Sequence, residues 1–375
     1  MTSCSRCGHP APLLADDPAC SCGGTPRIPE LADPGRHEEW IEGPLDLWRY
    51  RRAFPFLGPS RAVTLGEGLV PLQPLEIAEL ERPVLVLRDD LEPTGSWKDR
   101  GSALLVAALA ASGRRQLVED SSGNAALSLA RYAAIGGMQL TCYVPASTSP
   151  LKKSLVREAG AELVEVEGPR QAATDALRAA LGEGVTYASH ALQPLHAAGA
   201  ASAAFNICEM LGRMPGAVVA AAGHGGYVAG VAAGFRALAR AGRGRMPRII
   251  AVQAAGCAPL ARAFAEAAND AAPWGESRGS LAEGVQVTRP ARAREVLRAV
   301  RESGGLVGTA DELALDRAVR LLWREGLRVE PTAALPIAWL AGFGLRRELA
   351  GVNDVVVLLS GHGIRDGRAL SPGLT

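Results

Sequence analysis

From Pro83 onward the chain alternates short, almost wholly apolar runs with longer stretches in which small and apolar residues recur at helical spacing. PVLVLRDD reads as a buried strand and SALLVAALAASG, closed by Gly113, as a helix. QLVED, QLTCYVP and AELVEVEG read as further strands, separated by the helices NAALSLARYAAIGG and SPLKKSLVREAG. The order resumes with the strand GAVVAAAG, a helix from about Tyr227, the strand RIIAVQ, two helical stretches and a last strand in DVVVLLSGHG. Strands taking turns with glycine-ended helices predict an α/β protein with parallel-rich sheets flanked by helices. Ahead of this order, GGTPRIPELADPGRH is rich in Pro and Gly and reads as a linker.

Composition narrows the partner. A chain of 375 residues with 48% apolar and 21% charged positions can fold as two domains around sizeable cores. A net charge of +1 and the absence of any basic tract argue against nucleic acid or an anionic membrane, leaving a small molecule. The stretch GAVVAAAGHGGYVAGVAAGF is poor in charge, but His224 and its glycines make it a buried strand, loop and helix rather than a membrane span. The start, MTSCSRCGHP, has no basic segment leading into an apolar one, so a reducing, cytoplasmic location is expected.

Four of the seven cysteines crowd the first residues: Cys4, Cys7, Cys20 and Cys22. Two pairs on tight turns, C-x2-C and C-x-C-G-G, separated by twelve residues, can offer four sulfurs to one tetrahedral zinc ion. The second pair is tighter than a usual knuckle, so a ribbon that no longer binds metal, or plain reduced thiols, stays open. His9 could substitute as a ligand or lie on the surface. Cys142, Cys208 and Cys257 sit in apolar contexts and read as small buried hydrophobes.

The polar loops fall where strands end. DSSGNAA and AAGHGGY each follow a strand and open a helix, and LSGHG follows the last strand. In open parallel sheets ligands gather outside the carboxyl ends of the strands. The loop Gly223 to Gly226 would let backbone N–H groups approach an anion at the positive end of the next helix, which suits a phosphate; a tight packing turn is the plain alternative. The chain has three lysines, Lys98, Lys152 and Lys153. Lys98, in EPTGSWKDRG at a predicted helix start, would face the positive end of the helix dipole; with burial, this lowers its pKa and makes its amine a nucleophile.

PTGSWKDRG, SSGNAALSLARYAA, AAGHGGY, VEPTAALPIAWL and LLSGHGIRD, in this order, resemble the fold-type-II pyridoxal-phosphate enzymes, and among these most closely the threonine synthases. LWRYRRAFPF, VTLGEGLVPL and the N-terminal cysteines extend the resemblance over nearly the whole chain. It implies a zinc-ribbon-like segment at 1–27, a large cofactor-binding domain from 28–97 and 190–375, a small domain at 98–189, and a homodimer. It implies that Lys98 holds pyridoxal 5'-phosphate covalently and that Asn124 bonds the cofactor's 3-hydroxyl. Gly223, His224, Gly225, Gly226 and Tyr227 would cradle the phosphate, and Ser360 would face the pyridine nitrogen. Thr94, Ser121, Ser122 and Gly123 would receive the amino-acid substrate.

The activity implied is β- or γ-elimination or replacement on a hydroxy-amino acid or its activated ester, in amino-acid metabolism. A serine or threonine ammonia-lyase, a replacement enzyme of a specialised pathway, and a non-catalytic cofactor-binding protein are the alternatives. Three departures bear on the choice. Val70 stands where the family carries a threonine, and Gln193 and His196 stand in QPLH where it carries N-P-x-R, whose arginine helps hold a substrate phosphate. A histidine does not reproduce an arginine's two-pronged donor, so a substrate without a phosphate ester is expected. Glu283, in SLAEGVQV, resembles the ammonia-lyases of the same fold, or is a solvated turn carboxylate.

Overall fold

A computed structural model describes residues 1–365, which fall into two compact units. One unit is built from residues 1–69 and 92–200, the other from 70–91 and 201 onward. The expected stretch 28–97 is thus divided, and residues 190–200 join the first unit rather than the second. The reason is pairing: strands Leu72–Leu75 and Val84–Leu87 hydrogen-bond into the sheet of the second unit, while the chain on either side of them packs elsewhere.

The first unit contains a four-stranded, all-parallel sheet in the order Glu162–Val166, Gln139–Pro145, Gln116–Glu119, Val185–Tyr187. Helices Lys98–Ala111, Asn124–Ile135, Pro150–Glu158 and Arg170–Ala179 alternate with the strands. Local signals set these boundaries. Ser149 caps Pro150–Glu158 by accepting from Lys152 N, with proline in the first turn, where a missing N–H costs nothing. Gly113, at φ +81°, ends the helix Lys98–Ala111 in a conformation that side chains disfavour. A two-stranded antiparallel ribbon, Thr2–Ser3 with Pro10–Ala11, lies at the N-terminus.

The second unit holds a six-stranded sheet in the order Leu306–Ala310, Arg248–Ala254, Ala217–Ala221, Val355–Leu358, Val84–Leu87, Leu72–Leu75, parallel except for the last. Val355–Leu358 and Ala217–Ala221 are buried at every position, as their unbroken apolar character requires. Each fully buried valine or leucine there contributes about 1.5–3 kcal/mol. The low-charge stretch that could have been read as a membrane span divides into Ala217–Ala221, a loop and helix Gly226–Arg240. No helix among the described residues is long and apolar enough to cross a membrane.

In place of the two helical stretches expected after RIIAVQ, the described residues form four α-helices, Pro259–Ala265, Ala293–Glu302, Glu312–Arg324 and Pro331–Trp339, the last running on into the π-helix Leu340–Glu348, with the strand Leu306–Ala310 among them. That strand is LVGTA, too short and too interrupted by glycine to stand out in the sequence.

Candidate active site and cysteine cluster

In the first unit Lys98 is the first residue of helix Lys98–Ala111, and its neighbours in the chain explain why the helix begins there. Asp99 is fully buried and accepts from Thr94 N at 2.6 Å and from Thr94 Oγ1 at 2.5 Å, folding the incoming loop back on the first turn. Both hydrogen-bond donors of Thr94 are thereby committed to Asp99. Arg100 is fully buried; its Nε lies 3.0 Å from Glu92 Oε1 and its Nη1 donates to Gly68 O at 2.9 Å. Glu92 in turn accepts from Gly68 N. Gly101 leaves room for His196: a Cβ there would stand 2.5 Å from the imidazole. With these three residues locked, the lysine projects from a fixed turn, and its Nζ lies 4.3 Å from the centre of the Trp97 ring.

Ser121, Ser122 and Gly123 connect strand Gln116–Glu119 to helix Asn124–Ile135, whose first residue is Asn124 and whose start no side chain caps. Ser121 Oγ accepts from Gly123 N at 3.3 Å. The strand's last residue, Glu119, is a feature the sequence reading passed over. It is fully buried, with Oε1 2.7 Å from His190 Nδ1 and no hydrogen-bond partner for Oε2 among the described residues. Burial, and then the charge of Asp120, hold its carboxyl well above the usual carboxylate range, while Arg170 and Lys98 pull the other way. His190 follows the neighbouring parallel strand Val185–Tyr187, so two adjacent strand ends bring the pair together over 71 residues of sequence. Two carboxylates in a row at the end of an apolar strand were the available signal.

In the second unit the strand order turns back between Ala217–Ala221 and Val355–Leu358, and the loops beyond these two strand ends carry the expected residues. Gly223 and His224 lead to Gly225, at φ +89°, which precedes helix Gly226–Arg240 and offers no side-chain cap. The loop is held from outside. A Cβ on Gly223 would meet Gly284 O at 2.6 Å, and one on Gly225 would meet Val296 Cγ2 at 2.6 Å. Tyr227 turns its hydroxyl to the buried Asp89, which opens the 3-10 turn Asp89–Leu91 just after strand Val84–Leu87, the next neighbour of Val355–Leu358. Ser360 follows Val355–Leu358; it is 4% exposed, and its Oγ has no hydrogen-bond partner among the described residues.

A buried hydroxyl without a partner costs about 1–3 kcal/mol unless a ligand completes it. A glycine loop at an uncapped helix start is, in the same way, suited to an anion. Both features fit pyridoxal phosphate, the one meeting a ring nitrogen and the other a phosphate.

The cysteine cluster closes on itself. Cys4 Sγ lies 3.5 Å from Cys22 Sγ, Cys7 Sγ 3.7 Å from Cys20 Sγ, and Cys22 Sγ 3.4 Å from Cys20 Sγ, with all four sulfurs within 4.8 Å of one another. Zinc–sulfur bonds of about 2.3 Å put the corners of a tetrahedron about 3.8 Å apart, so the four sulfurs fit one zinc ion. The Gly24 backbone N–H, opposed by burial and joined by the thiols of Cys20, Cys4 and Cys7, draws Cys22 down to about 6, towards the thiolate that a metal binds. His9 is exposed and outside the cluster, its carbonyl accepting from Cys4 N.

The residues at the departures are placed as follows. Gln193 is fully buried and its Nε2 donates to Tyr187 O at 2.8 Å and Ala15 O at 3.2 Å. His196 is 1% exposed, against Gly101 and edge-on to Trp97 at 5.6 Å. Val70 is buried and donates its N–H to Asn206 Oδ1. Glu283 is exposed at the start of the short 3-10 turn Glu283–Val285, whose middle residue, Gly284, backs the Gly223 loop. Cys142, Cys208 and Cys257 are buried and unbridged, as apolar positions imply.

Comparison with known proteins agrees with these features. A family model described as pyridoxal-phosphate dependent enzyme matches residues 63–361. Threonine synthase of Methanocaldococcus jannaschii is 29% identical over 98% of this chain and 93% of its own length, and that of Mycobacterium tuberculosis is 28% identical over 88% and 90%. Among solved structures, a threonine deaminase from T.th. superposes with a TM-score of 0.66 at 28% identity, covering 78% of this chain and 92% of the other. An L-serine ammonia-lyase from Rhizomucor miehei gives 0.70 at 20% identity, covering 80% and 95%, a likeness of fold.

Proposed function

Because the chain belongs to the pyridoxal-phosphate-dependent enzymes, we propose that it catalyses β- or γ-elimination or replacement on a hydroxy-amino acid or its activated ester. The observation that supports this reading is Ser360: its buried hydroxyl follows strand Val355–Leu358, has no hydrogen-bond partner among the described residues, and would serve as the group that meets the cofactor's ring nitrogen. A hydroxyl donates to an unprotonated nitrogen, whereas a carboxylate would keep that nitrogen charged. Bound pyridoxal phosphate supplies an electron sink for bonds broken at the substrate's α-carbon, and with a neutral ring the sink is weaker, which favours departure of a side-chain group.

The chain's own residues then have distinct tasks. Lys98 would hold the cofactor through its amine, and the same amine is the base that would take the proton from the substrate's α-carbon. Asn124 bonds the 3-hydroxyl, and Ser121, Ser122 and Gly123 receive the substrate carboxylate at the helix start, with Thr94 beside them. Gly223, His224, Gly225, Gly226 and Tyr227 hold the phosphate through backbone N–H groups. Cys4, Cys7, Cys20 and Cys22 hold a structural zinc ion.

Threonine synthase-like replacement, on an activated ester other than a phosphate, is the leading reading, supported by the relatives named threonine synthase over most of the chain's length. A serine or threonine ammonia-lyase is the second reading, favoured by where the structure puts Gln193 and His196. Gln193 spends its amide on two backbone carbonyls and His196 is buried against a helix, so neither offers a charged, two-pronged donor to a phosphate. Hydrogen bonds to charged groups contribute about 1.5–3 kcal/mol, or roughly 10–100-fold in rate. We therefore expect kcat/KM for O-phosphohomoserine to fall below that for threonine, serine or an O-acetylated amino acid by at least about tenfold. Efficient conversion of O-phosphohomoserine to threonine would overturn the phosphate-poor site. Bound cofactor with no turnover of any amino acid would overturn the assignment as an enzyme.

A further inference from the structure

In the first unit, strand Val185–Tyr187 is the last of its sheet and pairs with Gln116–Glu119 on one side only. Ala188 N donates inward, to Val118 O, so the N–H and C=O of Tyr187 point the other way, to an edge that the parallel sheet leaves open. Both groups are nevertheless satisfied. Tyr187 N donates to Asp16 O at 2.8 Å, and Tyr187 O accepts from Gln193 Nε2 at 2.8 Å. The same Nε2 reaches Ala15 O. Asp16 Oδ1 accepts from Thr186 Oγ1 at 2.8 Å and from Arg114 Nε at 3.0 Å, and Leu14 O accepts from Arg114 Nη2 at 3.0 Å. Three consecutive residues, Leu14, Ala15 and Asp16, thus act as an added edge.

Those residues lie in the twelve-residue stretch between Cys7 and Cys20, whose sulfurs stand 3.7 Å apart. The cysteine cluster is therefore the clasp of a loop whose middle is docked on the sheet. A loop with loose ends must be ordered at an entropic cost each time it docks; a loop with fixed ends meets that cost once, when the clasp forms.

We propose that zinc in the four-cysteine cluster sets the edge of the small sheet, by holding Leu14–Asp16 against Val185–Tyr187 and Gln193 and so fixing the turn 188–193 that carries His190. The inference rests on the reading of the cluster as a zinc site. Through the hydrogen bond from His190 to Glu119, the clasp reaches the strand end that leads into Ser121–Asn124. Zinc here orders a scaffold and takes no part in the reaction.

The test is hydrogen exchange by mass spectrometry on the cofactor-loaded protein, with metal content measured on the same samples, before and after zinc is withdrawn with a chelator. About one zinc per chain is expected, and its removal should speed exchange in peptides spanning 185–193 by at least about tenfold, while the inner strand Gln139–Pro145 keeps its protection. Arg114→Ala, which removes the donor to Leu14 O and one of the donors to Asp16 Oδ1 without touching a sulfur, should speed exchange in the same peptides with zinc retained. Stoichiometric zinc whose removal leaves exchange at 185–193 unchanged would overturn the coupling alone. Failure to bind zinc, even when it is supplied, would overturn the metal site beneath it.

Discussion

Lys98→Ala is expected to leave the protein folded but without its covalently held cofactor, and to lower turnover by at least roughly 10²–10⁴-fold, the range that a positioned proton-transfer group supplies. The fold should tolerate the change because the turn beneath Lys98 is fixed by other side chains. Asp99 holds Thr94, and Arg100 holds Glu92 and Gly68. Among what the lysine gives up is its contact with the Trp97 ring, worth about 0.5–1 kcal/mol at a partly exposed site. The check is to reduce the loaded protein, digest it and map the labelled peptide, with absorbance and circular dichroism recorded on the variant. A label on Lys153 would contradict the assignment, and the structure gives reason to expect none: its Nζ is engaged by Ala146 O and by Glu165 Oε2 at 2.6 Å.

Arg100→Ala is expected to destabilise the protein by about 3–5 kcal/mol, the usual result of removing one member of a fully buried ion pair. Both side chains are completely shielded from solvent, so Glu92 would be left as a buried charge, and Gly68 O would lose its donor. Calorimetric unfolding should show a fall in Tm of the order of 10 °C. Pairing Arg100→Met with Glu92→Leu should recover much of the loss, because two apolar side chains of similar volume need no compensation for lost hydration. A single variant within about 1 kcal/mol of the parent would mean that the pair is not sealed from water. The two substitutions separate neighbouring roles: Lys98 can be lost with the fold intact, and Arg100 cannot.

The elements visible in the sequence are those written in local terms. Val84–Leu87 and Val355–Leu358 are unbroken apolar runs, Gln139–Pro145 alternates buried with more exposed positions, and helices Lys98–Ala111 and Asn124–Ile135 begin at the lysine and asparagine that the loop patterns marked. Val185–Tyr187 and Leu306–Ala310 escaped because three residues of VTY, or five of LVGTA, carry too little periodicity to distinguish strand from loop; pairing with long neighbours makes them strands. The glycine and serine loops could be located from strand ends. Their supports could not: His190 meets Glu119 across 71 positions, Asp89 receives Tyr227 across 138, and Thr186 reaches Asp16 across 170. Such pairs are products of the folded chain, and no spacing rule announces them.

The two glycines where helix Lys98–Ala111 meets helix Pro194–Gly199 are alike in the substitutions they close to descent. A methyl group at Gly101 would collide with the ring of His196 and also with the main-chain carbonyl of that residue, 2.6 Å away, which no smaller side chain at position 196 would remove. A methyl group at Gly199 would collide with the main-chain carbonyl of Arg100, which every amino acid possesses. No second substitution can remove either carbonyl. Positions 101 and 199 can therefore change in a lineage only if the helices themselves move apart, taking the first turn of the lysine's helix with them.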